Sequence, residues 1–184
     1  MIDSAANLEA RIEGQRIILR NVRDEDVSEE YCSWMNDPEV TQFLECRFQK
    51  HTEDDLRAFV AGMEQDGDNV FLAIVLRDGN RHIGNLKISS INWRHRFADI
   101  GLLIGDKSCW GRNFGSEAIR LATDYAFDTL ELHSLSAGLY DTNIGSLKAF
   151  GKAGWLQQGV RKNRFLCKGE YKDQILMGIV RDEA

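Results

Sequence analysis

The sequence predicts an α/β fold of the α+β kind, helices flanking a mixed sheet, and three observations predict it. Strand-like and helix-like periodicities alternate in the order strand, helix, helix, three strands, helix, strand, helix, strands. A meander of three apolar runs sits in the middle of that order. The 184 residues, 43% of them hydrophobic, suffice for a full core, and neither the single proline nor any Ser/Gly/Pro-rich linker divides them. The chain reads as one domain, 1–184, with its core over about residues 15–181.

Gln15 to Val22 (QRIILRNV) alternates as a first strand. Asp24 precedes a helical pattern that places Val27, Tyr31, Trp34 and Met35 on one face, and Asn36-Asp37-Pro38 stops it. A second helix follows Thr52, whose hydroxyl caps it while Asp55 completes a capping box. Its buried face is Leu56, Phe59, Val60 and Met63. Val70 to Leu76 is an apolar strand, Asp78-Gly79-Asn80 a turn, and His82 to Ile91 a returning strand. Asp99 to Ile104 is the third strand. From Gly115 a helix runs to about Thr129, with Ala118, Ile119, Ala122, Tyr125 and Ala126 at helical spacing. Leu135 to Leu139 is a strand, Ser146 to Lys152 a short helix ended by Gly154, and Gly159 to Phe165 with Gln174 to Val180 a closing hairpin.

A formal charge of −6 gives no support to a nucleic-acid partner, which needs a positive field. The most basic stretches, Asn92 to Phe97 (NWRHRF) and Gly159 to Lys168, each hold a phosphate or are simply solvated. Cys32, Cys46, Cys109 and Cys167 form no CxxC pair and read as reduced thiols in a cytoplasmic protein. No signal-like N-terminus and no run of 18 apolar residues is present, so no membrane partner is expected. His82, His95 and His133 do not cluster with ligands at metal spacing, so no metal is expected.

The stretch CWGRNFGSEA, Cys109 to Ala118, precedes the long helix. Free N–H groups of a first helical turn and the turn before it converge on one point, and the helix dipole favours an anion there. Gly111 and Gly115 allow close approach and Arg112 adds a charge; a plain structural turn is the other reading. No lysine-serine pair follows the last glycine, so it is not a P-loop, and it is not a GxGxxG fingerprint.

The stretch resembles the acetyl-CoA signature of the GCN5-related N-acetyltransferase superfamily: a basic residue or glutamine, two variable residues, glycine, one variable residue, then glycine or alanine. It falls on Trp110-Gly111-Arg112-Asn113-Phe114-Gly115, with Trp110 in the basic position and Asn113 at the first glycine. Asparagine tolerates left-handed backbone angles, so Asn113 can stand there. WGRNFGSEA is similar to the ribosomal-protein-alanine-acetyltransferase-like branch. RIILRNVRDED resembles the opening strand, and WMNDPEVTQFL the segment bordering the acceptor side. IGNLKI and ADIGLLIG resemble the two central strands, and DTNIGSLKAFGKAGW the closing segment.

The resemblance implies an acyl-CoA N-acyltransferase fold whose central strands splay. The pantetheine arm of acetyl-CoA then lies along Gly101 to Ile104, including Leu102, Leu103 and Ile104, and the pyrophosphate over Gly111, Arg112, Asn113, Phe114, Gly115 and Ser116. Asn143 stands near the arm, with Ser146 and Phe150 on the same cofactor side; Asn143 also reads as the cap of its helix. Relatives often carry a proton-donating tyrosine where this chain has Phe150, leaving water or Tyr140 to protonate the thiolate. Asp99, or Glu45, takes the amine's proton or binds its cation, and Glu117 satisfies its helix terminus. Cys109 lacks a histidine partner, and direct attack by the amine needs no nucleophile.

The expected activity is transfer of an acetyl group to a primary amine of a small molecule, such as an amino sugar, nucleotide-linked or not, or a polyamine. Protein N-terminal acetylation and a non-catalytic acetyl-CoA sensor are the alternatives. Homodimers are common among relatives.

Overall fold

The computed structural model describes residues 4–6, 8–167 and 169–182; Lys168, the end of one basic run, lies outside them. The strands are β1 (Arg11–Glu13), β2 (Ile17–Asn21), β3 (Val70–Leu76), β4 (His82–Asn92), β5 (Phe97–Ile104), β6 (Ser134–Tyr140), β7 (Leu156–Cys167) and β8 (Glu170–Val180). The helices are α1 (Glu29–Asn36), α2 (Pro38–Thr41), α3 (Glu53–Glu64), α4 (Phe114–Asp128) and α5 (Ile144–Lys152). The strands form one sheet in the order β1-β2-β3-β4-β5-β6-β8-β7. Every pairing is antiparallel except β5 with β6.

Burial alternates along the sheet and gives each face its own core. Ala98, Ile100, Leu135 and Ala137 join β2–β4 residues under α4, where Ala118, Ile119, Ala122 and Ala126 pack. Three of those four positions on α4 are alanine, so the helix lies close on the sheet, with Ile119 filling the gap between. Full burial of such a side chain contributes about 1.5–3 kcal/mol. The opposite face carries Ala73 and Val75 against Tyr31 and Trp34 of α1 and Leu56 and Val60 of α3.

β5 and β6 are joined at only three rungs, Phe97–Ser134, Ala98–Leu135 and Asp99–Ser136. Beyond Asp99, β5 continues against β4 as far as Gly84–Ile104, and β6 continues against β8 as far as Tyr140–Gln174. The splayed pair is therefore β5 with β6. IGNLKI and ADIGLLIG, read as the two central strands, instead form a continuous antiparallel ladder. The diverging partner is the run Leu135 to Leu139.

Local chemistry sets the remaining corrections. Asp24 does not open α1: Asp24–Asp26 form a 3-10 turn, and Ser28 caps the helix by accepting the Tyr31 amide at 3.2 Å. Pro38 stops α1 but also starts α2, because its fixed φ suits a first helical position. The capping box at Thr52 and Asp55 is present. Phe59 is exposed, because α3 turns Leu56 and Val60 to the sheet and leaves Phe59 at the rim, edge-on to Phe71.

Candidate acetyl-CoA site and acceptor wall

The splay opens a cleft of about 530 Å³ between the ends of β5 and β6, the start of α4, α5 and the segment around α2. That volume lies in the range of small-molecule sites. On the β6 side, the backbone from Ile100 to Ile104 has no strand partner among the described residues, and Leu102, Leu103 and Ile104 line the opening. Trp110 closes one end by donating its indole N–H to the Ile104 carbonyl at 2.7 Å.

The turn before α4 is shaped by two left-handed residues. Gly111 has φ 71°, and Asn113, the residue preceding the helix, has φ 65° and ψ 15°. Asn113 thus occupies the conformation for which glycine is usual, which asparagine tolerates. Its side chain does not cap α4; the amide oxygen accepts from Lys152 Nζ at 2.6 Å. The first backbone bond of the helix runs from the Glu117 amide to the Asn113 carbonyl. The amides of Phe114, Gly115 and Ser116 are left at the positive end of a fifteen-residue helix, facing the cleft that these residues line. A pyrophosphate fits such a cradle, and Lys148 and Lys152 stand along the same wall.

A second helix start faces the same space. Asn143 caps α5, its oxygen accepting the Ser146 amide at 3.1 Å, and both residues also line the cleft. Phe150 anchors α5: fully buried, it meets Trp155 edge-on at 4.8 Å, and the Trp155 indole donates to Thr123 of α4 at 3.1 Å. Phe150 reaches the floor of the cleft only as an apolar surface.

Several expected residues stand elsewhere. Arg112 does not line the cleft: its guanidinium lies over Phe114 and its carbonyl accepts from Arg16 at 2.9 Å. Glu117 does not satisfy its own helix terminus; it binds Arg16 and Ile17 at the start of β2, bracing the turn from behind. Arg16 was legible only as a strand residue. Asp99 sits on the last joined rung, below the opening, where it accepts the Ser136 hydroxyl. Cys109 lines the cleft but is buried, and burial pushes its thiol up, away from the thiolate form. NWRHRF forms the turn between β4 and β5, and none of its residues lines the cleft.

Glu45 and Tyr140 meet although 95 positions separate them. Tyr140, the buried last residue of β6, lines the cleft and donates to Glu45 Oε1 at 3.0 Å. Arg47, which the sequence did not single out, donates to the Tyr140 oxygen at 2.9 Å and to the Leu44 carbonyl at 2.7 Å. Phe165 stacks on Tyr140 at 3.9 Å, and Phe43 packs beside it at 5.5 Å. Burial pushes the Tyr140 phenol above its ordinary value, Arg47 pulling the other way and Glu45 adding to the rise, so the phenol stays protonated.

Residues 16–155 match the family model described as an acetyltransferase (GNAT) domain. An uncharacterized N-acetyltransferase of Bacillus licheniformis is 25% identical over 171 residues, 92% of this chain and 95% of that one. Spermidine N(1)-acetyltransferase of Escherichia coli K12 is 26% identical over 152 residues, 82% of this chain and 73% of that one. The structure of spermidine N-acetyltransferase from Vibrio cholerae, in complex with CoA and spermine, superposes with a TM-score of 0.79 at 21% identity, covering 90% of this chain and 95% of that one. A family model that spans residues 16–155 shows the family: the chain belongs to the GNAT family of acetyl-CoA-dependent N-acetyltransferases.

Proposed function

We propose that the protein transfers the acetyl group of acetyl-CoA to a primary amine of a small cationic acceptor, a polyamine being the class favoured. The observation that carries the transferase reading is the opening of β5 from β6 directly below the amide cradle of α4. The bound thioester supplies an electrophilic acyl carbon. The chain's own residues do the rest. The amides at Phe114 to Ser116 and the lysines of α5 hold the phosphates, and the unpaired edge of β5 aligns the arm. Direct attack by the amine requires it to be neutral, so its proton must leave first.

Charge supports the cationic acceptor. Asp99, Ser136 and Tyr140 share one face of the sheet by strand alternation, and Glu45 adjoins it. The net charge of −6 favours the approach of a polycation to the molecule as a whole. The spermidine acetyltransferases among the relatives act on such acceptors. A protein N-terminus is the second reading, favoured by the likeness of WGRNFGSEA to the ribosomal-protein-alanine branch.

The test is incubation with acetyl-CoA and a panel of polyamines, amino sugars free and nucleotide-linked, and short peptides, read by mass spectrometry. A gain of one acetyl group on a polyamine is expected. Acetylation of peptides alone would replace the acceptor class, and acetyl-CoA binding without transfer to any amine would overturn the enzyme reading.

A further inference from the structure

We infer that Tyr140 and Glu45 form a proton exit from the cleft, with Arg47 as the positioning residue that keeps it aligned. The inference rests on the amine-acetylation reading above and assigns the path by which the acceptor's proton leaves.

The hydrogen-bond inventory dictates the direction. A guanidinium only donates, so the Tyr140 oxygen must be the acceptor from Arg47 Nη2 at 2.9 Å. The phenol has one proton, and it goes to the carboxylate of Glu45 at 3.0 Å. That proton is therefore committed outward, away from a leaving thiolate. What the phenol still offers is a lone pair, and Tyr140 lines the cleft.

The ends of the path differ in exposure. Tyr140 is only 4% exposed, whereas the Glu45 side chain is 71% exposed. The pair thus connects a dry wall to bulk water. Arg47, 15% exposed at its side chain, is itself held by the Leu44 carbonyl and lies 3.5 Å from Glu45. Phe43, Phe165 and Gln174, which pack or pair against Tyr140, bring no charge, so Glu45 and Arg47 are the charged groups acting on it.

The step balances as one proton moved. An N–H bond of the acceptor ammonium breaks and an O–H bond forms on the phenol oxygen. The phenol's original O–H bond breaks and its proton passes to Glu45, which releases it to water. Tyr140 ends as it began and the acceptor is a neutral amine. The path adds no driving force, because an alkylammonium near pKa 10 is a far weaker acid than a carboxylic acid near 4. It supplies a route from a buried site, and a route is limiting only where the amine arrives protonated.

That condition gives the test. Acetylation rates are measured from about pH 7 to pH 9.5 for the wild type, Tyr140→Phe and Glu45→Gln, with acetyl-CoA affinity by calorimetry. Glu45→Gln keeps an oxygen for the phenol but cannot take its proton. Both variants are expected to lose about 100-fold in kcat/KM at pH 7 and to converge toward wild type as pH rises and the amine arrives neutral. Acetyl-CoA affinity should stay within about threefold of wild type. A loss of the same size at every pH, or no loss in either variant, overturns the exit while leaving the transferase reading intact. A wild type that binds acetyl-CoA and acetylates no amine overturns both.

Discussion

Glu117 shows how one buried side chain can brace a turn from behind. Its carboxylate, 5% exposed, accepts the Arg16 and Ile17 amides at 2.7 and 3.4 Å and Arg16 Nε at 2.9 Å. Arg16 in turn reaches the Arg112 carbonyl, so β2, the turn and α4 are tied through one ion pair. Burial pushes the Glu117 carboxyl up, but the hydrogen bonds and charge of Arg16 outweigh it and hold it below the usual glutamate value. A depressed folded value means stability that is present above the unfolded value, near pH 4, and lost as pH falls through the folded one. Glu117→Gln should therefore cost about 1–2 kcal/mol near neutral pH, with the gap to wild type closing in acid. Urea midpoints at about pH 7 and pH 3 check this. A gap that persists unchanged in acid would mean that Glu117 acts through packing and not through charge. The sequence put Glu117 in a first helical turn, where capping its own helix is the ordinary role, because a partner 101 positions away leaves no local mark.

At the scale of elements, what was legible was what short-range chemistry decides. The capping box of α3, the Asn143 cap and the alanine-rich face of α4 all follow from neighbours within a turn, and the αL position of Asn113 follows from the resemblance of its stretch to the cofactor signature. What was not legible depends on pairing. β1 has three residues and no apolar alternation to announce it, and the strand that diverges from β5 is fixed by rungs between segments 37 positions apart. Arg47 was missed for the same reason, since its partner Tyr140 is 93 positions away. The junction of β5 and α4 carries its own prediction. A Cβ at Gly115 would stand 3.4 Å from Leu102 and 3.9 Å from Ala149, ordinary contact distances, so alanine fits but a branched chain must enter the cleft. Gly115→Ala should keep or slightly raise stability, as alanine replaces glycine inside a helix. Gly115→Leu should keep its helical circular dichroism while acetyl-CoA affinity falls at least about tenfold. Undiminished binding by Gly115→Leu would move the cofactor arm away from this junction.

The whole molecule is two sheet halves on a short seam. β1 to β5 form one antiparallel ladder, β6, β8 and β7 form another, and Phe97 to Asp99 join them. On one side of the seam α4 lies over the first half, and Phe150 and Trp155 fasten α5 to it. The cleft is lined by β5 and α4 on one side and by β6 and α5 on the other, so a ligand that filled it would touch both, and its binding energy would also hold the halves together. At about 100 times the dissociation constant this amounts to roughly 2.7 kcal/mol, which for a chain of this length raises the melting temperature by about 5–10 °C. The location of the effect discriminates more sharply than its size. Acetyl-CoA should slow amide hydrogen exchange in β6 and α5 as well as in β5 and the first turn of α4, because opening the seam would break contacts on both sides. Protection confined to β5 and α4 would mean that the arm follows one edge without bridging, and the splay would then be a fixed feature of the fold and not a joint that the cofactor closes.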